Sequence, residues 1–90
     1  MRLQDLQEYK RMSAAERNGA RGKAIRAELE TLLPWMPYRF RRVVSCRYVS
    51  DMSLIATAME IHCHPNTVKK WTKQIAAWLK DKDEYLRRDT

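Results

Sequence analysis

Residues 53–71 read SLIATAMEIHCHPNTVKKW, and this stretch says more about the fold than any other part of the chain. Ser53 is a favoured N-cap residue, and Leu54 onward has the composition of a short helix. His64 is the next capping candidate, and Pro65 suits the first turn of a second helix. The stretch therefore predicts two helices joined by a tight turn, which is the sequence form of a helix-turn-helix.

The spacing of small and apolar residues fits that motif in one register. Ala58 stands where a small residue lets the two helices cross closely. The positions that must be apolar to pack the helices together hold Leu54, Ile61, Cys63, Val68 and Trp71. His62 departs from the pattern, because the turn commonly has glycine in a conformation with positive φ. Histidine tolerates that conformation better than most other residues, at some cost.

The second helix of such a unit lies in the major groove of DNA, so its outward residues are candidates for base contacts. These candidates are His64, Pro65, Asn66, Lys69, Lys70 and Lys73. An asparagine can pair with an adenine edge, and lysines can reach guanine acceptors or phosphates. Predicted phosphate contacts are Ser53, Thr67, Arg39, Arg41, Arg42 and Arg47. A solvated lysine face is the alternative for any single lysine, but the cluster at this place favours DNA.

The remaining pattern is helical and predicts an all-α, small single-domain helical bundle with a C-terminal helix-turn-helix. Apolar residues recur at helical spacing over residues 23–33, 38–48 and 65–79, and Pro34 ends the first of these segments. The inward side of the second segment is predicted to hold Phe40, Val43, Val44 and Cys46. Ser13 and Glu16 have the form of a capping box. The predicted organisation is a flexible or helical N-terminal arm (1–22), the helical domain (23–80) and a charged, fraying tail (81–90).

The net charge of +7 and the isoelectric point near 9.8 favour a polyanionic partner, of which nucleic acid is the commonest. The charge is uneven, because residues 34–50 and 64–79 contain no acidic residue. No apolar run reaches membrane-spanning length and no signal peptide is visible, so no membrane partner is expected. Cys46 and Cys63 fit buried thiols in a reducing cytoplasm rather than a disulfide framework.

Other kinds of site are not favoured. His62, Cys63 and His64 are adjacent on one turn and cannot easily converge on zinc, even with Cys46, so no metal or other cofactor is predicted. The sequence has no paired carboxylates beside an apolar stripe and no glycine-rich phosphate loop, which predicts a protein that is not an enzyme. Trp35, Trp71 and Trp78 are interpreted as core residues rather than a platform for stacking bases.

Residues 32–79 contain Leu33-Pro34, an arginine-bearing helix ending in Arg47-Tyr48-Val49, and Ser53-Leu54 at the start of the helix-turn-helix. In these features the stretch resembles region 4 of bacterial sigma factors. It also contains, in order, Tyr48-Val49, Ser53-Leu54, Ala56, Ala58, Cys63 and Thr67-Val68-Lys69-Lys70. With these residues it looks, within that superfamily, most like the helix-turn-helix of Q-type late-gene antiterminators of lambdoid phages. The resemblance implies a phage transcription or antitermination factor that binds double-stranded DNA near a promoter and contacts RNA polymerase in the bacterial cytoplasm.

Two alternatives stay open beside a sequence-specific regulator of transcription. The chain could be an interaction module that binds RNA polymerase through the arginine-rich helix and exposed parts of Leu29, Leu32 and Trp35, with DNA contact secondary. It could also be the DNA-recognition subunit of a phage packaging or recombination assembly. A homodimer would match palindromic DNA sites, whereas sigma-like proteins often bind as monomers within a larger complex.

Overall fold

A computed structural model describes the backbone of residues 1–88 and the side chains of residues 1–86. Over this part of the chain the protein is helical without a strand, which confirms the all-α prediction. The α-helices are α1 (Leu3–Arg11), α2 (Ala14–Arg17), α3 (Ala20–Leu32), α4 (Tyr38–Val44), α5 (Leu54–Glu60) and α6 (Pro65–Arg88). A 3₁₀ turn (Leu33–Trp35) follows α3, and a π-helical turn (Ser45–Val49) follows α4.

Two predicted helix starts are confirmed by their hydrogen bonds. At α2, the Glu16 amide donates to the Ser13 hydroxyl (3.2 Å) and the Ser13 amide donates to the Glu16 carboxylate (3.1 Å), which completes the capping box. At α5, the Ala56 amide donates to the Ser53 hydroxyl over 3.0 Å. These side chains accept hydrogen bonds from amides that have no partner within their own helices.

One core joins the helices. Its fully buried side chains are Leu6, Ile25, Leu29, Val43, Val44, Val68, Ile75, Leu79 and Thr57. The predicted inward residues of the second helical segment are also buried, and they are Phe40, Val43, Val44 and Cys46. Leu6 and Tyr9 of α1 belong to the same core, so the first residues of the chain pack against the rest of the bundle.

Several boundaries differ from the sequence prediction. The segment expected to be one helix over residues 38–48 changes to a π-helical turn after Val44, where the Ser50 amide donates to the Ser45 carbonyl over 2.9 Å. The last helix was expected to fray from residue 81, but α6 continues to Arg88. Asp89 and Thr90, the end of the predicted tail, lie outside the described residues.

Three apolar side chains also differ from their predicted environments. Trp35 was interpreted as a core residue, and this was wrong, because 72% of its surface is exposed. The 3₁₀ turn carries it to the outside, whereas Trp71 and Trp78 pack half-buried against the core. Leu29 and Leu32, considered for contact with RNA polymerase, are only 1% and 8% exposed and therefore cannot supply such a contact.

The link between the π-helical turn and α5 is held by two cations from the N-terminal helices. The Lys10 ammonium donates to the backbone carbonyls of Arg47 and Met52, the latter over 3.0 Å. The Arg17 guanidinium donates to the Tyr9 carbonyl (3.1 Å) and pairs with the Asp51 carboxylate. Burial lowers the pKa of Lys10, and the hydrogen bond from Arg17 lowers the pKa of Asp51. We call these three side chains, Lys10, Arg17 and Asp51, the linker clamp.

Candidate nucleic-acid interface

The turn between α5 and α6 is a Schellman motif, a common way to end a helix. The Cys63 amide donates to the Ala58 carbonyl over 2.9 Å, and the His62 amide donates to the Met59 carbonyl over 3.3 Å. His62 occupies the position that glycine usually takes and has φ of 57°. The prediction of positive φ at this residue is confirmed. Ala58 is buried and Cys63 packs against the core, so the turn is anchored on its inner side.

The start of α6 is capped by the ring of His64. The Asn66 amide donates to Nδ1 of that ring over 3.0 Å, and the Thr67 amide donates to the His64 carbonyl over 2.9 Å. Because Nδ1 accepts the capping hydrogen bond, Nε2 is the ring nitrogen left for a contact outside the helix. Pro65 is half-buried and has no N–H group, so it can offer only apolar contact.

Four of the predicted base-contacting residues share one exposed face of α6, which we call the lysine stripe. They are Asn66, Lys69, Lys70 and Lys73. Their spacing of three and four residues places them on one side of the helix, away from the buried Val68 and Ile75. Within the described part of the chain, these four side chains have no hydrogen-bond or ion-pair partner.

In having no ion-pair partner, the lysine stripe differs from several of the arginines elsewhere on the surface. Arg21 pairs with Asp5 and Glu8, and Arg26 pairs with Glu30. Arg17 and Arg42 also face carboxylates, those of Asp51 and Glu60. The stripe is therefore a place where positive charge is concentrated without internal compensation, and such a place attracts a polyanion.

The predicted phosphate-contacting residues do not form one surface. Ser53 is exposed at the start of α5, and its hydroxyl proton is free to be donated because the oxygen serves as acceptor in the cap. Thr67 is half-buried beside the lysine stripe. Arg39 and Arg41 are exposed on α4, with their guanidinium groups 4.7 Å from the Phe40 ring centre and 5.6 Å from that of Tyr38.

Arg42 and Arg47 are more constrained. Arg42 lies 3.7 Å from the Glu60 carboxylate. Together with Arg39 it borders an open groove of about 480 Å³ whose other lining residues are Tyr38, Glu60, Ile61, His62 and Trp71. The Trp71 side chain lies on a different side of α6 from the lysine stripe, so this groove and the stripe are separate surfaces. Arg47 is half-buried with its guanidinium 5.6 Å from the Tyr48 ring centre, next to the linker clamp.

The remaining chemistry of the described residues is limited. In residues 1–88 no cluster of three or more histidine, cysteine, aspartate or glutamate side chains is placed to hold a metal ion. Cys46 and Cys63 are free thiols. None of the helices over the same residues has both the length and the apolar character needed to cross a bilayer.

Replacing His62 by glycine is expected to stabilise the protein by about 1 kcal/mol, because glycine adopts positive φ without the steric cost that a Cβ brings. The measurement is the free energy of unfolding in urea, monitored by circular dichroism. Asp51→Gly is the matched control, since Asp51 also has positive φ (58°) but pairs with Arg17. Asp51→Gly should gain less than His62→Gly, and a lower stability for His62→Gly would contradict the strained turn.

Comparison with known proteins does not assign a function to this chain. No family model matches the sequence, and neither the curated proteins nor the solved structures give a match. The lysine stripe, the capped start of α6 and the Schellman turn are therefore the features from which a function has to be inferred.

Proposed function

We propose that this protein is a non-enzymatic, sequence-specific DNA-binding regulator of transcription that uses α5, the turn and α6 as a helix-turn-helix. The observation that carries the proposal is the lysine stripe, three lysines and one asparagine that are exposed and unpaired in the first turns of a long helix. Lysines are also common on solvated helix faces, so the position of the stripe matters as much as its composition. Its position directly after a capped turn is the position from which a recognition helix contacts bases.

The dimensions of the stripe suit the major groove. Residues 66–73 span about 10 Å along the helix axis, at 1.5 Å per residue. This length covers about three base pairs, and the groove is about 12 Å wide, enough to admit one helix. Asn66 would pair with an adenine edge, while Lys69 and Lys73 would reach guanine acceptors or phosphates. Ser53 at the start of α5 would donate its hydroxyl proton to a phosphate.

The resemblance of residues 32–79 to region 4 of sigma factors and to Q-type antiterminators extends the proposal. It suggests a phage factor that binds DNA near a promoter and acts beside RNA polymerase in a bacterial cell. Trp35, exposed on its 3₁₀ turn, and the exposed arginines of α4 favour a polymerase-binding module as the second candidate. Capture of polymerase from lysate that persists after nuclease treatment would favour that second candidate, and capture lost with nuclease would favour the first.

Asn66→Ala and Lys69→Ala are expected to weaken binding to the target DNA by about 10-fold or more, because a good base contact is worth about 1–3 kcal/mol. Asn66→Ala should leave binding to unrelated DNA nearly unchanged, since it removes no charge. If Lys69 contacts a phosphate, Lys69→Ala should weaken binding to the target DNA and to unrelated DNA alike. The measurement is a titration at several salt concentrations on the DNA sequence enriched from a random library.

The salt series separates the two kinds of contact. The slope of log affinity against log salt is negative, and each phosphate contact that is lost should reduce its magnitude by about 0.9. Lys23→Ala is the matched control, an exposed lysine on α3 outside the lysine stripe. Unchanged affinity and unchanged slope for both Asn66→Ala and Lys69→Ala would overturn the assignment of this face.

A further inference from the structure

A second surface lies at the other end of α6, and we call it the aromatic groove. It is formed by Trp35 of the 3₁₀ turn and by Trp78, Lys82, Tyr85 and Leu86 of α6. Two adjoining cavities, of about 400 Å³ and 240 Å³, share Lys82 and Tyr85 in their linings. The groove begins at Trp78, about 18 Å along the helix from Asn66 at 1.5 Å per residue, and beyond the last residue of the lysine stripe, so it does not belong to the stripe.

The aromatic groove leaves much apolar surface in water. Trp35, Tyr85 and Leu86 are 72%, 60% and 55% exposed, and they are half of the large apolar residues exposed among the described side chains. The Lys82 ammonium lies within 5.7 Å of three ring centres, those of Trp35, Trp78 and Tyr85. A contiguous exposed apolar patch is more typical of a protein interface than of free surface.

The sequence of α6 indicates which partner would fit. Trp78, Asp81, Lys82 and Tyr85 are spaced by three, one and three residues, so the pattern reads the same in both directions: aromatic, charged, charged, aromatic. If a second copy of α6 packs antiparallel about a two-fold axis between residues 81 and 82, each Lys82 meets Asp81 of the other copy. Each Trp78 then meets Tyr85 of the other copy. Two ion pairs and two aromatic pairs form at once, which is the self-complementarity that an isologous interface requires.

The same pattern argues against other occupants. Asp81 at the centre of the surface would repel the phosphates of nucleic acid. A purely acidic protein segment would pair with Lys82 but leave Asp81 opposed by like charge, and a purely basic one would do the reverse. A second copy of this chain carries both charges in the required antiparallel order, so it matches both residues.

We propose that the protein forms a homodimer through the aromatic groove, with α6 of the two copies antiparallel and Asp81 and Lys82 paired across the two-fold axis. The dimer does not depend on the proposed binding of DNA, because the groove and the lysine stripe are separate surfaces. It would present two recognition helices to one DNA molecule, so a target composed of two inverted half-sites is expected if both proposals hold.

The test is sedimentation velocity on the full chain without DNA, from micromolar to several hundred micromolar concentration. The wild-type protein should shift from monomer to dimer across this range. Asp81→Lys and Lys82→Asp should each weaken dimerisation by about 10-fold or more, because like charges would then face each other. The double variant Asp81→Lys/Lys82→Asp restores opposite charges across the axis and should recover most of the wild-type affinity.

Ile55→Lys is the control, because Ile55 is also a large exposed apolar residue but lies on α5. Ile55→Lys should dimerise like the wild-type protein. Tyr85→Ala should dimerise more weakly, because it removes an aromatic side chain from the proposed interface. Circular dichroism on each variant reports whether it has folded. A wild-type protein that stays monomeric throughout, a dimer weakened by Ile55→Lys but not by Tyr85→Ala, or a double variant no better than the single ones would each overturn the proposal.

Discussion

Replacing Gly22 by alanine is expected to destabilise the protein by about 3 kcal/mol, although alanine is normally the better helix residue by about 1 kcal/mol. Gly22 lies inside α3 and is buried, and a Cβ added there would be 2.4 Å from both Cα and the carbonyl oxygen of Arg17. These are backbone atoms and cannot rotate away as a side chain can. Two residues alone separate α2 from α3, so Arg17 can retreat only if α2 moves with it.

Movement of α2 would also disturb the linker clamp, because the Arg17 guanidinium holds the Tyr9 carbonyl and the Asp51 carboxylate. The measurement for Gly22→Ala is thermal and urea unfolding by circular dichroism. A loss of about 3 kcal/mol corresponds to a melting temperature lower by about 12 °C or more in a domain of this size. Ala24→Gly on the exposed side of the same helix is the control and should lose about 1 kcal/mol. A Gly22→Ala protein more stable than the wild type would contradict the close approach of α2 and α3.

Lys10→Met is expected to destabilise the protein by about 2 kcal/mol, because hydrogen bonds from a charged donor contribute about 1.5–3 kcal/mol and their acceptors would lose that donor. Methionine keeps most of the length and apolar packing of the lysine stem. The substitution therefore removes mainly the ammonium that joins the Arg47 and Met52 carbonyls. Those two carbonyls lie on either side of the Ser50 and Asp51 link, so their release should loosen the connection between α4 and α5.

Hydrogen exchange locates this effect. Unfolding in urea gives the total loss of stability, and amide exchange shows where the chain opens. The amides of Ser50 and Met52, which donate to the Ser45 and Cys46 carbonyls, should exchange faster in Lys10→Met than the amides of α3. Lys23→Met is the control, since Lys23 is exposed on α3. Equal effects of the two substitutions on stability and exchange would show that Lys10 does not hold the link.

Much of the local structure was predictable because it depends on short-range chemistry. Ser13 and Ser53 cap helices through amides three residues away, and the apolar positions of α4 follow from helical periodicity. The positive φ of His62 was also predictable, because glycine commonly occupies this turn position and adopts positive φ there.

The features that could not be predicted depend on contacts distant in sequence. From sequence alone, Gly22 only lowers the helix propensity of its segment. The close approach of the Arg17 backbone, which leaves no room for a Cβ at Gly22, appears only in the folded structure. The π-helical turn ends beside carbonyls held by Lys10, which is 37 residues from Arg47. Trp35 reads as core from its chemistry, but the 3₁₀ turn after α3 places it on the surface.

The candidate interface shows the same division. Periodicity was enough to place Asn66, Lys69, Lys70 and Lys73 on one face. Periodicity could not predict which basic residues lack a partner. Arg42 approaches the Glu60 carboxylate, and Arg47 lies beside the Tyr48 ring, only in the folded protein. The structure thus separates an uncompensated lysine stripe from the more constrained arginines Arg42 and Arg47.

The most direct measurement of the central claim is selection of bound sequences from a random pool of double-stranded DNA by the full chain at near-physiological salt. We expect a short sequence to be enriched, with at least one adenine whose enrichment disappears when the selection is repeated with Asn66→Ala. Lys23→Ala should select the same sequence as the wild-type protein. A bound pool that stays random over successive rounds would contradict the account. So would an enriched sequence that is still selected after Asn66, Lys69, Lys70 and Lys73 have each been replaced by alanine.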